Sequence, residues 1–258
     1  MKKNFLIIVC SLLMISGRGL GSETDTLPDA VLFQKANDAY QAGEYDEALD
    51  YYSQIVNNGN KGAILYYNLG NVYFKAGQIA YAILWYERAL RLDPSNDDIR
   101  HNIAFANQFI VDKIDILPRF ILSRWWNGIS QSLTSNAWAW ISIVLLALFL
   151  ACMAILLMSR RQKVRRWTFS LGIFLFIAMT FCLVFARKEM VRYTKNPEAV
   201  IVQSVVVAKS TPNLSGADLF VVHEGLKVSI TDSVADWYEV RLPNGEKGWM
   251  EEKSVEII

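Results

Sequence analysis

Gln41-Ala42-Gly43-Glu44-Tyr45-Asp46-Glu47-Ala48 returns 34 residues later as Lys75-Ala76-Gly77-Gln78-Ile79-Ala80-Tyr81-Ala82, with Gly43 on Gly77 and Ala48 on Ala82. Self-similarity at such a period means stacked supersecondary units, so it settles the architecture before any local propensity does. Residues 29–58 and 62–92 each read as two helices around a glycine turn. The small residues Ala36, Ala48, Gly70 and Ala82 permit close helix approach, while Tyr45, Tyr52, Tyr66, Leu69, Tyr73 and Tyr86 fill the space between helices. Asp93-Pro94-Ser95-Asn96 stops the second pair and supplies caps for a further helix. Its Ile99, Ile103, Ala104, Phe109 and Ile110 make an apolar stripe suited to closing the stack.

Outward from this helical region the composition changes. The chain is 53% hydrophobic, and two uncharged runs, residues 137–158 and 167–186, are long enough to span a bilayer core of about 30 Å. Both read as transmembrane helices. Between them, residues 159–166 (Ser-Arg-Arg-Gln-Lys-Val-Arg-Arg) carry five cations. Short cationic loops stay in the cytoplasm, so the hairpin is expected to open outward with both flanks on the exported side. Residues 1–22, with Lys2, Lys3 and the apolar run from Phe5 to Ile15, have the layout of a secretory signal peptide, an uncleaved anchor being the alternative. Residues 113–136 read as a juxtamembrane interfacial segment with Trp125-Trp126 along the membrane surface, and residues 187–198 as a linker.

Charge follows the same division. Lys and Arg number 6 against 13 Asp and Glu in residues 23–112, 12 against 3 in 113–198, and 5 against 9 in 199–258. Acidic outer regions offer no basic face for phosphates, which excludes nucleic acid as a partner. Cys152 and Cys182 fall inside the membrane runs and Cys10 inside the signal, so the aqueous regions carry neither disulfides nor thiolate chemistry.

Residues 199–258 change period again. Short β-rich runs at 200–202, 205–207, 219–222, 227–230, 237–240 and 248–250, with the turn Leu242-Pro243-Asn244-Gly245-Glu246, point to a small all-β barrel. The expected fold class is a multidomain membrane protein: all-α repeats in 23–112, two transmembrane helices, and a C-terminal barrel.

Tyr66, Leu69-Gly70, Tyr73, Ala82, Tyr86, Ala89 and Asp93-Pro94 meet nearly every position of the tetratricopeptide pattern, which the first repeat follows more loosely through Leu32, Ala36, Ala39, Ala48 and Tyr52. The tail, through Ala208-Lys209-Ser210-Thr211-Pro212, Asp236-Trp237-Tyr238-Glu239-Val240 and Gly245-Glu246-Lys247-Gly248-Trp249, resembles a bacterial SH3-like domain. The combination in this order resembles the BatE-type members of the Bacteroides aerotolerance operon family over essentially the whole chain. That resemblance implies a bacterial inner-membrane protein with both outer domains in the periplasm. It also implies protein partners among von Willebrand A-type Bat proteins and a MoxR-type ATPase system.

No catalytic constellation is legible. His101 and His223 have no second metal-type ligand at motif spacing, no glycine loop suits a phosphate, and the membrane runs contain no acid or base. Neither cofactor nor metal is expected. Binding is the better reading. The first helix of each pair lines a groove in such repeats, placing Phe33, Asn37, Tyr40, Tyr67, Asn68, Asn71 and Phe74 on the concave side. Phe33, Asp98 and Asn102 stand where a carboxylate clamp would need cations, so the groove suits a neutral or basic segment. In the tail, Trp237, Tyr238 and Trp249 are candidates for contact with peptide or peptidoglycan, with core packing the alternative for the two tryptophans. The expected function is a non-enzymatic scaffold in an aerotolerance or envelope-stress complex. A cell-wall-binding sensor is the alternative.

Overall fold

A computed structural model describes residues 27–114, 120–195 and 197–258. The stretch read as a signal sequence, residues 1–22, lies outside the described residues. Five helices make up the repeat region: α1 (Asp29–Ala42), α2 (Tyr45–Asn57), α3 (Ala63–Lys75), α4 (Ile79–Leu92) and α5 (Asp97–Ala106). Gly43 and Gly77 adopt left-handed φ values of 82° and 78°, a conformation that costs glycine nothing. Each lets the chain close the same way: Glu44 N–H donates to the Ala39 carbonyl and Gln78 N–H to that of Tyr73. Leu32, Ala36, Ala48, Tyr52, Leu69, Ala82, Tyr86, Ala89 and Ile99 are buried in one continuous core. The α5 start is capped by Asn96, whose Oδ1 accepts from the N–H groups of Asp98 and Ile99 at 3.1 and 3.2 Å.

After α6 (Ile121–Ser130) come α7 (Ser135–Met158) and α8 (Gln162–Lys195), both long and apolar enough to cross a membrane. They pack as an antiparallel hairpin, with Phe149 against Phe176 at 5.7 Å and Trp138 against Phe185 at 5.0 Å. Most of their side chains stay exposed, unlike those of a soluble core helix. The helix α8 is longer than the apolar run. It begins at Gln162, so the cationic stretch 159–166 is a connector only as far as Arg161. It also continues to Lys195 through the residues expected as a linker. No glycine or proline interrupts the chain between Arg187 and Lys195. Residues 187–195 of the expected linker are therefore a helical post.

The tail forms seven strands: β1 (Glu198–Ile201), β2 (Val205–Lys209), β3 (Asp218–His223), β4 (Lys227–Val234), β5 (Trp237–Arg241), β6 (Lys247–Glu251) and β7 (Val255–Ile257). Their order is β3-β2-β6-β5-β4-β1-β7, with antiparallel pairing throughout. Ala199, Ile201, Val206, Ala208, Val222, Val228, Ile230, Val240, Met250 and Val255 meet in one core, so the sheet wraps a single interior. Strand β7 has no separate signal in the sequence because it is three residues long and follows a 3₁₀ turn at Glu252–Ser254.

Candidate functional site

All seven groove residues are half-buried. The asparagines among them are occupied by a hydrogen-bond unit that repeats with the 34-residue period. In the first copy the Tyr52 hydroxyl donates to Asn37 Oδ1 at 2.6 Å, and Asn68 Nδ2 donates to the same oxygen at 3.4 Å. In the second, the Tyr86 hydroxyl donates to Asn71 Oδ1 at 2.8 Å and Asn102 Nδ2 to that oxygen at 3.1 Å. Asn37 and Asn71, Tyr52 and Tyr86, and Asn68 and Asn102 are each one period apart. The aromatics obey the same rule: Phe33 packs on Tyr52 at 5.7 Å and Tyr67 on Tyr86 at 5.9 Å. Burial raises the Tyr86 phenol far above its ordinary range, so it remains a neutral donor.

These contacts make the asparagines struts between helices. Phe74 behaves differently. It meets Phe105 at 5.5 Å and Phe109 at 5.4 Å, and those two rings lie 5.3 Å apart. Phe105 is 43% and Phe109 56% exposed, so this end of the groove presents aromatic surface. Sequence reasoning placed Phe109 in the stack-closing stripe and passed over Phe105. The signal for Phe105 was available, since it stands one period after Asn71. Tyr40 packs on Tyr45 at 5.8 Å beside an open hollow of about 500 Å³ ringed by Glu44, Asp46 and Glu47.

In the barrel the three candidates separate. Tyr238 packs against the core, and its hydroxyl donates to Glu252 at 2.8 Å. Trp237 stands opposite Glu251 and Trp249 opposite Glu239, so both occupy the other face of the sheet. Trp237 lines an open groove of about 850 Å³ with Pro212, Leu214 and Glu252. Trp249 is half-buried in register with Lys209 on β2 and does not line this groove. His101 is exposed, whereas His223 is tied to Asp112, which accepts from its backbone N–H at 2.5 Å and lies 2.9 Å from its Nδ1.

That last contact belongs to a junction between repeats and barrel. Val200 of β1 is fully buried in the repeat core. A side chain at Gly225 would collide with Ile110 at 2.5 Å. Arg88 and Arg91 of α4 donate to the carbonyls of Ile257 and Ile258 at 2.6 and 2.5 Å. Lys227 lies 2.8 Å from both Glu87 of α4 and Glu198 of β1. Glu198 is also 3.0 Å from Arg192 of α8, which stands 3.8 Å from the buried Glu189. Burial opposes the Lys227 charge, but Glu87 and Glu198 outweigh it and raise its pKa. Burial likewise pushes the Glu198 carboxyl up, yet Lys227 and Arg192 hold it below the ordinary range. Repeats, post and barrel thus meet at one charge-compensated point.

No curated protein matches the chain in sequence. Two family models do match: a tetratricopeptide repeat over residues 33–97 and a bacterial SH3 domain over residues 205–256. The protein therefore joins a helical repeat region of tetratricopeptide type, two helices of membrane-spanning length, and an antiparallel β domain of SH3 type.

Proposed function

We propose that this protein is a non-enzymatic inner-membrane scaffold of the BatE type, holding its repeats and its SH3-like domain in the bacterial periplasm. The observation that carries the reading is the cluster of half-buried Phe74 with the exposed Phe105 and Phe109. It sits on a frame in which no buried side-chain nitrogen or oxygen among the described residues lacks a hydrogen-bond partner. Such an arrangement suits recognition by an aromatic anchor region, because the polar groups need no ligand while the rings remain available. The acidic balance of the repeat region, 13 Asp and Glu against 6 Lys and Arg in residues 23–112, favours a neutral or basic segment. The resemblance supplies candidate partners, von Willebrand A-type Bat proteins and a MoxR-type ATPase system, within an aerotolerance or envelope-stress complex.

The test is co-purification from mild detergent. A Phe105→Ser, Phe109→Ser variant is expected to lose its partners while its unfolding free energy changes by only about 0.5 kcal/mol per exposed site. Orientation is tested separately in a chain whose Cys10, Cys152 and Cys182 are replaced. Impermeant thiol reagents should label Lys61→Cys and Lys253→Cys in cells with an intact inner membrane, and Arg161→Cys only after permeabilisation.

The groove at Trp237 supports a second reading, in which the SH3-like domain binds peptidoglycan or peptide. If the phenylalanine variant keeps its partners and Trp237→Ala releases the chain from isolated cell wall, recognition belongs to the barrel.

A further inference from the structure

Helix α6 is amphipathic. At 100° per residue Ile121, Leu122, Trp125, Trp126 and Ile129 share an arc of about 140°, and Ser123, Asn127 and Ser130 lie outside it. Its apolar side is mostly uncovered: Ile121 is 68% exposed, Leu122 80%, Trp125 71% and Ile129 53%. A soluble domain rarely leaves so much contiguous apolar surface open without an occupant.

The remaining sides of α6 are attached to α8. Trp126 packs on Phe185 at 4.7 Å and on Phe181 at 5.9 Å. The Ser130 hydroxyl, fully buried, donates to Glu189 at 2.9 Å, and Lys188 Nζ donates to Asn127 at 2.6 Å. Trp138 Nε1 donates to the Ser130 carbonyl at 3.0 Å. The helix is therefore held at one height and one rotation. Beneath Trp126 an apolar crevice of about 280 Å³ is lined by Phe176, Ile177, Phe181 and Val184 of α8. The exposed apolar surface of α8 thus runs into that of α6 through this crevice.

We propose that α6 lies in the plane of the membrane interface, with Ile121, Leu122, Trp125 and Ile129 inserted among lipid acyl chains and an acyl segment filling the crevice under Trp126. The proposal rests on the reading of α7 and α8 as spanning helices. The occupant is lipid because the open face continues the apolar surface of a helix long enough to cross the bilayer. On its polar side Asn127 and Ser130 are already engaged by Lys188 and Glu189 of α8. Tryptophan suits this depth, being apolar in body with one N–H to place near headgroups. An amphipathic helix of this kind binds through buried apolar area while its polar side stays at headgroup level.

Spin labels test it in the full chain, freed of its three cysteines and reconstituted in phosphatidylcholine vesicles. Labels at Leu122→Cys and Trp125→Cys, with references at Leu148→Cys, Ser123→Cys and Lys61→Cys, are compared by collision with oxygen and with a water-soluble nickel chelate. The expected result is an oxygen-to-nickel ratio at 122 and 125 several-fold above that at 123 and 61, with a shallower depth than at 148. A lipid-like ratio at 148 with water-like values at 122 and 125 overturns the α6 proposal and leaves the spanning helices standing. Labels at 122 and 125 shielded from both reagents would place a protein surface or a second copy on α6, which also overturns it. A water-like ratio at 148 removes the spanning reading and the proposal with it.

Discussion

The neutral ladder inside the repeats and the charged junction between repeats and barrel do similar structural work by opposite means. The ladder joins residues 15 or 31 positions apart, Tyr52 to Asn37 and Asn102 to Asn71, and its two copies are related by the repeat period. The junction joins Glu87, Arg192, Glu198 and Lys227, with 140 residues separating the ends of one ion pair. Amide and phenol groups lose little when half-buried and mutually bonded, so the ladder can be copied wherever the helix pair recurs. Charges need a fixed counter-arrangement to offset their desolvation, so the junction exists only where four separate elements, α4, α8, β1 and β4, arrive together.

The contrast breaks most visibly at Lys227. Lys227→Met leaves Glu87 and Glu198 facing one another and should destabilise the junction by about 2–3 kcal/mol. That is less than for a fully buried pair, since 32% of the lysine side chain is exposed. Amide hydrogen exchange should rise in β1 and β7 while α1 to α3 keep their protection. Uniform loss of protection across the repeats would show instead that they depend on the barrel for their own stability.

A smaller effect sharpens the other side. Tyr86→Phe removes one donor to Asn71, which still receives Asn102, and should cost about 1 kcal/mol. Tyr52→Phe should cost the same within about 0.5 kcal/mol, because Asn37 likewise keeps Asn68. Urea unfolding of the two variants checks the equivalence. A large disparity would mean that the ladder is periodic in geometry but not in energy.

Acidification should give the smallest change, read at the junction through Glu198. The folded pKa of Glu198 lies below its unfolded value, so its contribution is complete above the unfolded range near pH 4.5 and is lost as pH falls through the folded value. Lys227 is raised, so its contribution is present below its unfolded value and lost as pH rises through the folded one. Exchange at β1 should therefore accelerate below about pH 4, and Glu198→Gln should flatten that response. The ladder contains no carboxylate and should show no such step.

Much of the candidate site could be read from the chain, though the roles of its parts could not. Counting from Gly43 to Gly77 identifies which residues of the two repeats are equivalent, because helix pairs repeated at one period must repeat their faces. It does not show that Asn37, Asn68 and Asn71 are consumed by tyrosines of the second helices. That follows from side-chain reach, although the recurrence of Tyr52 as Tyr86 was a usable clue. Alternation along β5 and β6 separates Tyr238 from Trp237 and Trp249 by face, yet only packing decides which face is the core.

By itself, the sequence determined the stacked helix pairs, the two long apolar helices, the cationic turn between them and the β-rich tail. Periodicity, uninterrupted apolar length and turn chemistry are local quantities. Only the tertiary structure decided that residues 187–195 continue α8, that Val200 enters the repeat core, and that Lys227 answers Glu87 and Glu198. Those outcomes depend on which surfaces meet in space, and a pairing across 140 residues leaves no periodic trace in either partner's neighbourhood.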